Sequence, residues 1–189
     1  MTLYAQHSVQ SAPAGSAPAL EGLRKGLGVV PNLFATMAAS PATLNGYLAL
    51  DGVLARGTFS PAERQLMLTT ISSENGCAYC TAAHSTFAAA LRAAPDALAA
   101  ARDEGAAEDP RLHALVTFTR AVVARRGHVG DDALASFLAA GYTPAQALEV
   151  AANVGLKTIS NFIDGFAHFP LDAAFADQRW DVPEGIHAH

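Results

Sequence analysis

The chain has 189 residues and a mass of 19.5 kDa, the size of one ordinary domain and too little for two. Its residues are 51% apolar and 15% charged, with a formal net charge of −5, which excludes a disordered chain and leaves no basic surplus for gripping a phosphate backbone. No apolar run is long enough to cross a bilayer, and the N-terminus lacks the basic start and apolar stretch of a secretory signal.

A soluble, cytoplasmic protein with no nucleic-acid or membrane partner is therefore expected. Residues 1–18, rich in Ser, Ala, Gly and Pro, read as a flexible N-terminal arm. A short helix is expected around 20–26 or 31–39. Beyond it one punctuation recurs, a capping residue followed by proline, at Ser40-Pro41, Ser60-Pro61, Asp109-Pro110 and Thr143-Pro144. The first side chain accepts a backbone N–H, and proline at the first helical position gives up a donor that has no partner there anyway. Ser60 to Glu63 and Thr143 to Gln146 add capping-box spacing. The pattern predicts helices over 41–56, 61–74, 77–93, 95–104, 110–126, 131–140 and 144–168, with Gly57, Gly76, Gly105, Gly127 and Gly141 where they stop. Nothing alternates with period two, and alanine, the best helix former, dominates the apolar residues. The reading is an all-α domain over 19–180, with a C-terminal tail over 181–189 that carries His187 and His189.

The informative stretch is Ser73 to His84, which holds both cysteines, Cys77 and Cys80. On a helix opening near Cys77, at about 100° per residue, Cys77, Cys80 and His84 fall within roughly 60° of one another and share one face. A free thiol has a pKa of ~8.5 and is mostly protonated in a cell, whereas a helix N-terminus and a neighbouring imidazole favour the thiolate, which is the nucleophile. His84 would take the Cys80 proton and return it to a leaving oxygen. A sulfenic acid at Cys80 would condense with Cys77 to an internal disulfide, reducible by a dithiol.

Two plainer readings compete. The cysteines could be small buried hydrophobes, or half of a zinc site, but His113, His128, His168, His187 and His189 lack ligand spacing to the pair. A redox pair without metal or cofactor is the expectation.

The stretch ENGCAYCTAAHS (74–85) resembles the signature of the alkylhydroperoxidase D-like family, which shares its fold with carboxymuconolactone decarboxylase-like proteins. GVVPNLF (28–34), the run from Ser40 to Leu68, GYTPAQALEVAANVGLKTISNF (141–162) and the PLDAAF tail extend the resemblance. It implies an all-helical fold of helix hairpins around the CxxC-bearing helix, self-association into trimers or hexamers, and an oxidoreductase that reduces hydroperoxides. It also implies Cys80 as nucleophile, Cys77 as resolving thiol, His84 in a proton relay and a lipoyl-type dithiol as reductant. The family glutamate, twelve residues before the first cysteine, is here Gln65, and a relay histidine between the cysteines is replaced by Tyr79. Glu74 is the nearest remaining carboxylate and the candidate substitute; Glu63 is already explained by its capping box. The alternatives are a general thiol–disulfide oxidoreductase working through Cys77 as the more exposed sulfur, and a non-catalytic oligomeric relative of the decarboxylases.

In the last long helix Asn153, Lys157, Asn161, Asp164 and His168 form one polar stripe opposite Val154, Ile159, Phe162, Ile163 and Phe166. The expectation is a solvated polar face, and the other reading is a second wall of the pocket or a subunit contact, as the family resemblance implies.

Overall fold

The computed structural model describes residues 3–103 and 105–184, so His187 and His189 lie outside the described residues. Among the described residues the chain is all-helical: α1 (Ala17–Leu27), α2 (Asn32–Met37), α3 (Pro41–Leu54), α4 (Pro61–Glu74), α5 (Ala78–Ala90), α6 (Pro95–Asp103), α7 (Pro110–Ala124), α8 (Asp131–Ala139), α9 (Pro144–Ala167) and a 3-10 turn (Ala173–Gln178). Both short helices at the N-terminal end form, where the sequence offered one or the other. No helix among the described residues is long and apolar enough to cross a membrane.

The predicted caps are made. Ser40, Ser60, Asp109 and Thr143 each accept a backbone N–H from the first turn, and Ser60–Glu63 and Thr143–Gln146 close as capping boxes. Each cap contributes about 1 kcal/mol to its helix start. The stretch read as a flexible arm is fastened in its described part: the His7 N–H donates to the Ala35 carbonyl at 2.9 Å, and the buried Ser16 hydroxyl to that of Ala38 at 2.8 Å.

Helix α4 runs through the centre, packed by α5, α6, α7 and α9. From Leu66 to Ser73 it is buried on every side, which its hydroxyls would forbid unless satisfied. Thr69, Thr70 and Ser72 donate to carbonyls one turn back at 2.8–2.9 Å, and Ser73 reaches the Ala101 carbonyl at 2.7 Å. Three apolar clusters surround it: one of α1–α3, α5 and the C-terminal segment, one where α4 meets α7–α9, and an alanine-rich one with α6.

Helix α9 corrects the sequence reading. Asn153 and Lys157 are each 1% exposed and Asn161 is buried, whereas Leu148, Phe162 and Phe166 are 75%, 62% and 56% exposed. The polar stripe faces the core over most of its length, and only Asp164, half-buried, and His168, exposed, carry it towards water. Val154 and Ile163 tuck against the core at the flanks. A helical period separates two faces but does not say which one the rest of the chain covers.

Candidate active site

The junction between α4 and α5 places both sulfurs. Gly76 adopts φ +64°, and the Cys77 and Gly76 amides donate back to Ser72 and Ser73 at 2.9 Å, closing α4 in a Schellman turn. Cys77 is the next residue and serves as N-cap of α5, its Sγ accepting the Cys80 N–H at 3.3 Å. The expected shared face is thus modified: Cys77 precedes the helix rather than starting it, and its sulfur folds back under the first turn. Both thiols are free and buried, Cys77 at 3% and Cys80 at 1% exposure, so Cys77 is not the accessible sulfur of the sequence reading.

Cys80 and His84, one turn apart on α5, line a cavity of about 500 Å³ walled by α1 to α5, Lys157 of α9 and Phe175. Cys77 is not on that wall. Gln65 of α4 is, and its Oε1 lies 2.9 Å from His84 Nδ1. A carbonyl oxygen only accepts, so Nδ1 carries the hydrogen and Nε2 keeps its lone pair. Burial, then the charges of Lys157 and Arg64, hold the imidazole well below its ordinary range and therefore neutral. Gln65 thus orients the ring as a glutamate would, without exchanging a proton.

Glu74 does not join this group. Its carboxylate is paired with Arg120 of α7 and is not on the cavity wall. The reversal at Gly76 sends the end of α4 away from the thiols although Glu74 is three residues from Cys77.

The cation of the site is Lys157, which the sequence reading left on a solvated face. Its ammonium and the Cys80 sulfur are close enough to influence each other's charge. Burial acts to discharge it, but the Cys80 sulfur, then the Tyr47 phenol and Cys77, hold it above the usual lysine range. Arg64, also on the wall, has its own carboxylate, Asp51 at 2.7 Å, while Lys157 forms no carboxylate ion pair among the described residues. For Cys80, burial and then the Asp164 charge push the thiol up, but the Cys77 hydrogen bond, the Lys157 charge and the Ser160 hydroxyl at 3.8 Å outweigh them and bring it down to about 6. Cys77 goes the other way: its hydrogen bond with Cys80, its burial and the nearby Asp164 push it far up. One thiolate and one thiol coexist at neutral pH. The support for the anion comes from Lys157, Cys77 and Ser160, not from His84 as the sequence suggested. Among the described residues no three His, Cys, Asp or Glu side chains converge as a metal would need.

Residues 41–108, which contain Cys77, Cys80 and His84, match the model of the carboxymuconolactone decarboxylase family. The match covers that segment alone, 68 of the 189 residues. No curated protein matches the chain in sequence. Beyond the family segment, the whole helical arrangement is similar to an alkylhydroperoxidase AhpD core, an uncharacterized peroxidase-related protein from Ralstonia eutropha JMP134, with a TM-score of 0.82 at 22% identity over 91% of this chain and 93% of that one. It is similar to a peroxidase-related protein from Silicibacter sp. TM1040, with a TM-score of 0.75 at 21% identity over 86% and 87% of the two chains. It is also similar to the debrominase Bmp8, with a TM-score of 0.78 at 20% identity over 94% and 96%. A cysteine-to-alanine variant of Bmp8 has been crystallised with 2,3,4-tribromopyrrole. The segment similar to the carboxymuconolactone decarboxylase family thus sits in an AhpD-like fold, similar to those of peroxidase-related proteins and a debrominase.

Proposed function

We propose that the protein is a cysteine-dependent peroxidase that reduces organic hydroperoxides through a Cys80 sulfenate and then a Cys77–Cys80 disulfide, recycled by a small dithiol of lipoyl type. The observation that carries this reading is a buried thiolate, Cys80, paired with a buried ammonium, Lys157, inside a cavity with an aromatic lining that includes Phe34, Tyr47 and Phe87. The thiolate attacks the distal oxygen and the alkoxide leaves, taking a proton from water in the cavity that the neutral His84 Nε2 orients as an acceptor. The apolar walls suit the organic part of such a substrate. The depth of both sulfurs weighs against direct exchange with a protein disulfide.

Intact-mass measurement after one equivalent of cumene hydroperoxide tests the reading. The expected result is loss of two hydrogens per chain, reversed by dihydrolipoamide; an unchanged mass overturns it. A second reading, thiolate-driven removal of halogen from an aromatic ring, is favoured by the fit of a flat ring to the same lining and by the likeness to Bmp8. Bromide release from a bromopyrrole without hydroperoxide turnover would select it.

Self-association belongs to the same proposal. The outer stripe of α9 is uncharged and symmetrical about Gly155: Leu148 and Phe162 lie seven residues to either side, Ala151 and Ile159 four. An antiparallel α9 from a second copy, crossing at Gly155, would cover each large side chain once, the two-fold contact of a hexamer. Phe162→Glu is expected to lower the mass in light scattering at least twofold; a wild-type protein that is already monomeric removes the idea.

A further inference from the structure

A carboxylate stands beside Cys77 for which the peroxidase reading has no use. Asp164 Oδ2 lies 3.2 Å from Cys77 Sγ, and its Oδ1 accepts the Phe169 N–H at 2.8 Å, which fixes the carboxylate's orientation beyond the end of α9. Asp164 also lines a second cavity, of about 400 Å³, walled by Ala78, Tyr79, His168, Arg179 and the neighbouring C-terminal residues. This cavity shares only Tyr79 with the one holding Cys80. The CxxC turn therefore separates two chambers, an apolar one at Cys80 and a polar one behind Cys77.

Resolution of an oxidised Cys80 requires Cys77 to lose its proton within the protein. His84 and Lys157 face the other chamber. We propose that Asp164 is the general base of the resolving step, taking the Cys77 proton through Oδ2 and releasing it to water in the second cavity. This rests on the thiol redox reading of the site. The Cys77 sulfur forms the S–S bond as the S–O bond of the Cys80 sulfenic acid breaks. The oxygen leaves as hydroxide and is protonated from water in the substrate cavity. In this step the Cys77 sulfur is oxidised by one electron and the Cys80 sulfur, oxidised by two in its reaction with the peroxide, is reduced by one, while the S–O bonding pair leaves with the hydroxide. The Cys77 proton leaves on one side of the turn, and the hydroxide takes one up on the other.

The Cys77 thiol from the α4–α5 junction meets Asp164 directly, and the other titratable groups lining its cavity are Tyr79 of α5, whose hydroxyl donates to Asp172, His168 at the end of α9, and Arg179 and Asp181 from the C-terminal segment. Lys157 lies two turns back on α9.

Asp164→Asn keeps an Oδ1 acceptor for the Phe169 N–H while removing the base. The probe is dithiodipyridine, a small disulfide that needs no peroxide. Cys80 attacks it and releases one thiopyridone; Cys77 then attacks the mixed disulfide and releases the second. The first release is expected to be equal in wild type and variant. The second should be slower by about 10²-fold in the variant, as for loss of a general base. It should also rise about tenfold per pH unit in the variant, and less steeply in the wild type, where a general base replaces hydroxide. A second release of equal rate and equal pH profile in both proteins overturns the proposal. If the wild type resolves the mixed disulfide yet ignores cumene hydroperoxide, the peroxidase reading falls while the role of Asp164 stands.

Discussion

Replacing Cys80 with serine is expected to bring hydroperoxide turnover down to the uncatalysed rate, and replacing Cys77 with serine to stop it after one equivalent. The two outcomes differ because the sulfurs sit in different places. Cys80 lines the substrate cavity and is held as a thiolate; serine there presents a hydroxyl that stays protonated at any accessible pH. Cys77 lies off that wall, and its contribution is the second sulfur. Serine preserves its hydrogen bonds to Cys80 and Asp164, which alanine would remove, so Cys77→Ser isolates the loss of the resolving thiol. The measurement is peroxide consumed per chain, with dimedone to trap the sulfenate. Continued turnover by Cys80→Ser would assign the nucleophile elsewhere. A Cys77→Ser protein that cycles without an added thiol would remove the disulfide from the mechanism.

Lys157→Met is expected to cut the rate at pH 7 by about 30-fold or more, because the Cys80 thiol returns from about 6 to at least its ordinary ~8.5. The sign follows from the ionisation: below the thiol pKa the nucleophile is protonated and lost, above it the rate is flat. In the wild type, alkylation or peroxide reaction at Cys80 should rise with pH through about 6 and level off before neutrality. In Lys157→Met the rise should continue beyond pH ~8.5, since burial of Cys80 then acts unopposed. Stability should change little. A buried ammonium is replaced by an apolar chain of similar length, and the cost of breaking a buried pair, about 3–5 kcal/mol where a charge is left uncompensated, is reduced because Cys80 takes up a proton. A thermal melt near that of wild type with an unmoved pH profile would show that Lys157 does not support the thiolate.

Where the information sits close together along the chain, it was legible. Helix starts at Ser40, Ser60, Asp109 and Thr143 depend on a residue and its neighbours within one turn, and all four were readable and are made. The position of Cys80 and His84 on one cavity wall is equally local, since four residues on a helix are one turn. Glu74 shows where that reasoning stops: three residues from Cys77 look near, but a glycine at positive φ reverses the chain between them and Arg120, in another helix, claims the carboxylate.

By itself the sequence determined the helices, their boundaries within a few residues, the all-α class and the placing of Cys80 and His84 one turn apart, because caps, propensity and helical phase are short-range. Only the tertiary structure decided which way α9 turns. It brought Lys157 and Ser160 to Cys80 and Asp164 to Cys77 across more than 75 residues of chain, and left Phe162 and Phe166 outside. The charge state of a buried sulfur is set by what lies within a few ångströms of it in space. Periodicity along one helix carries no record of which other helix will supply those neighbours.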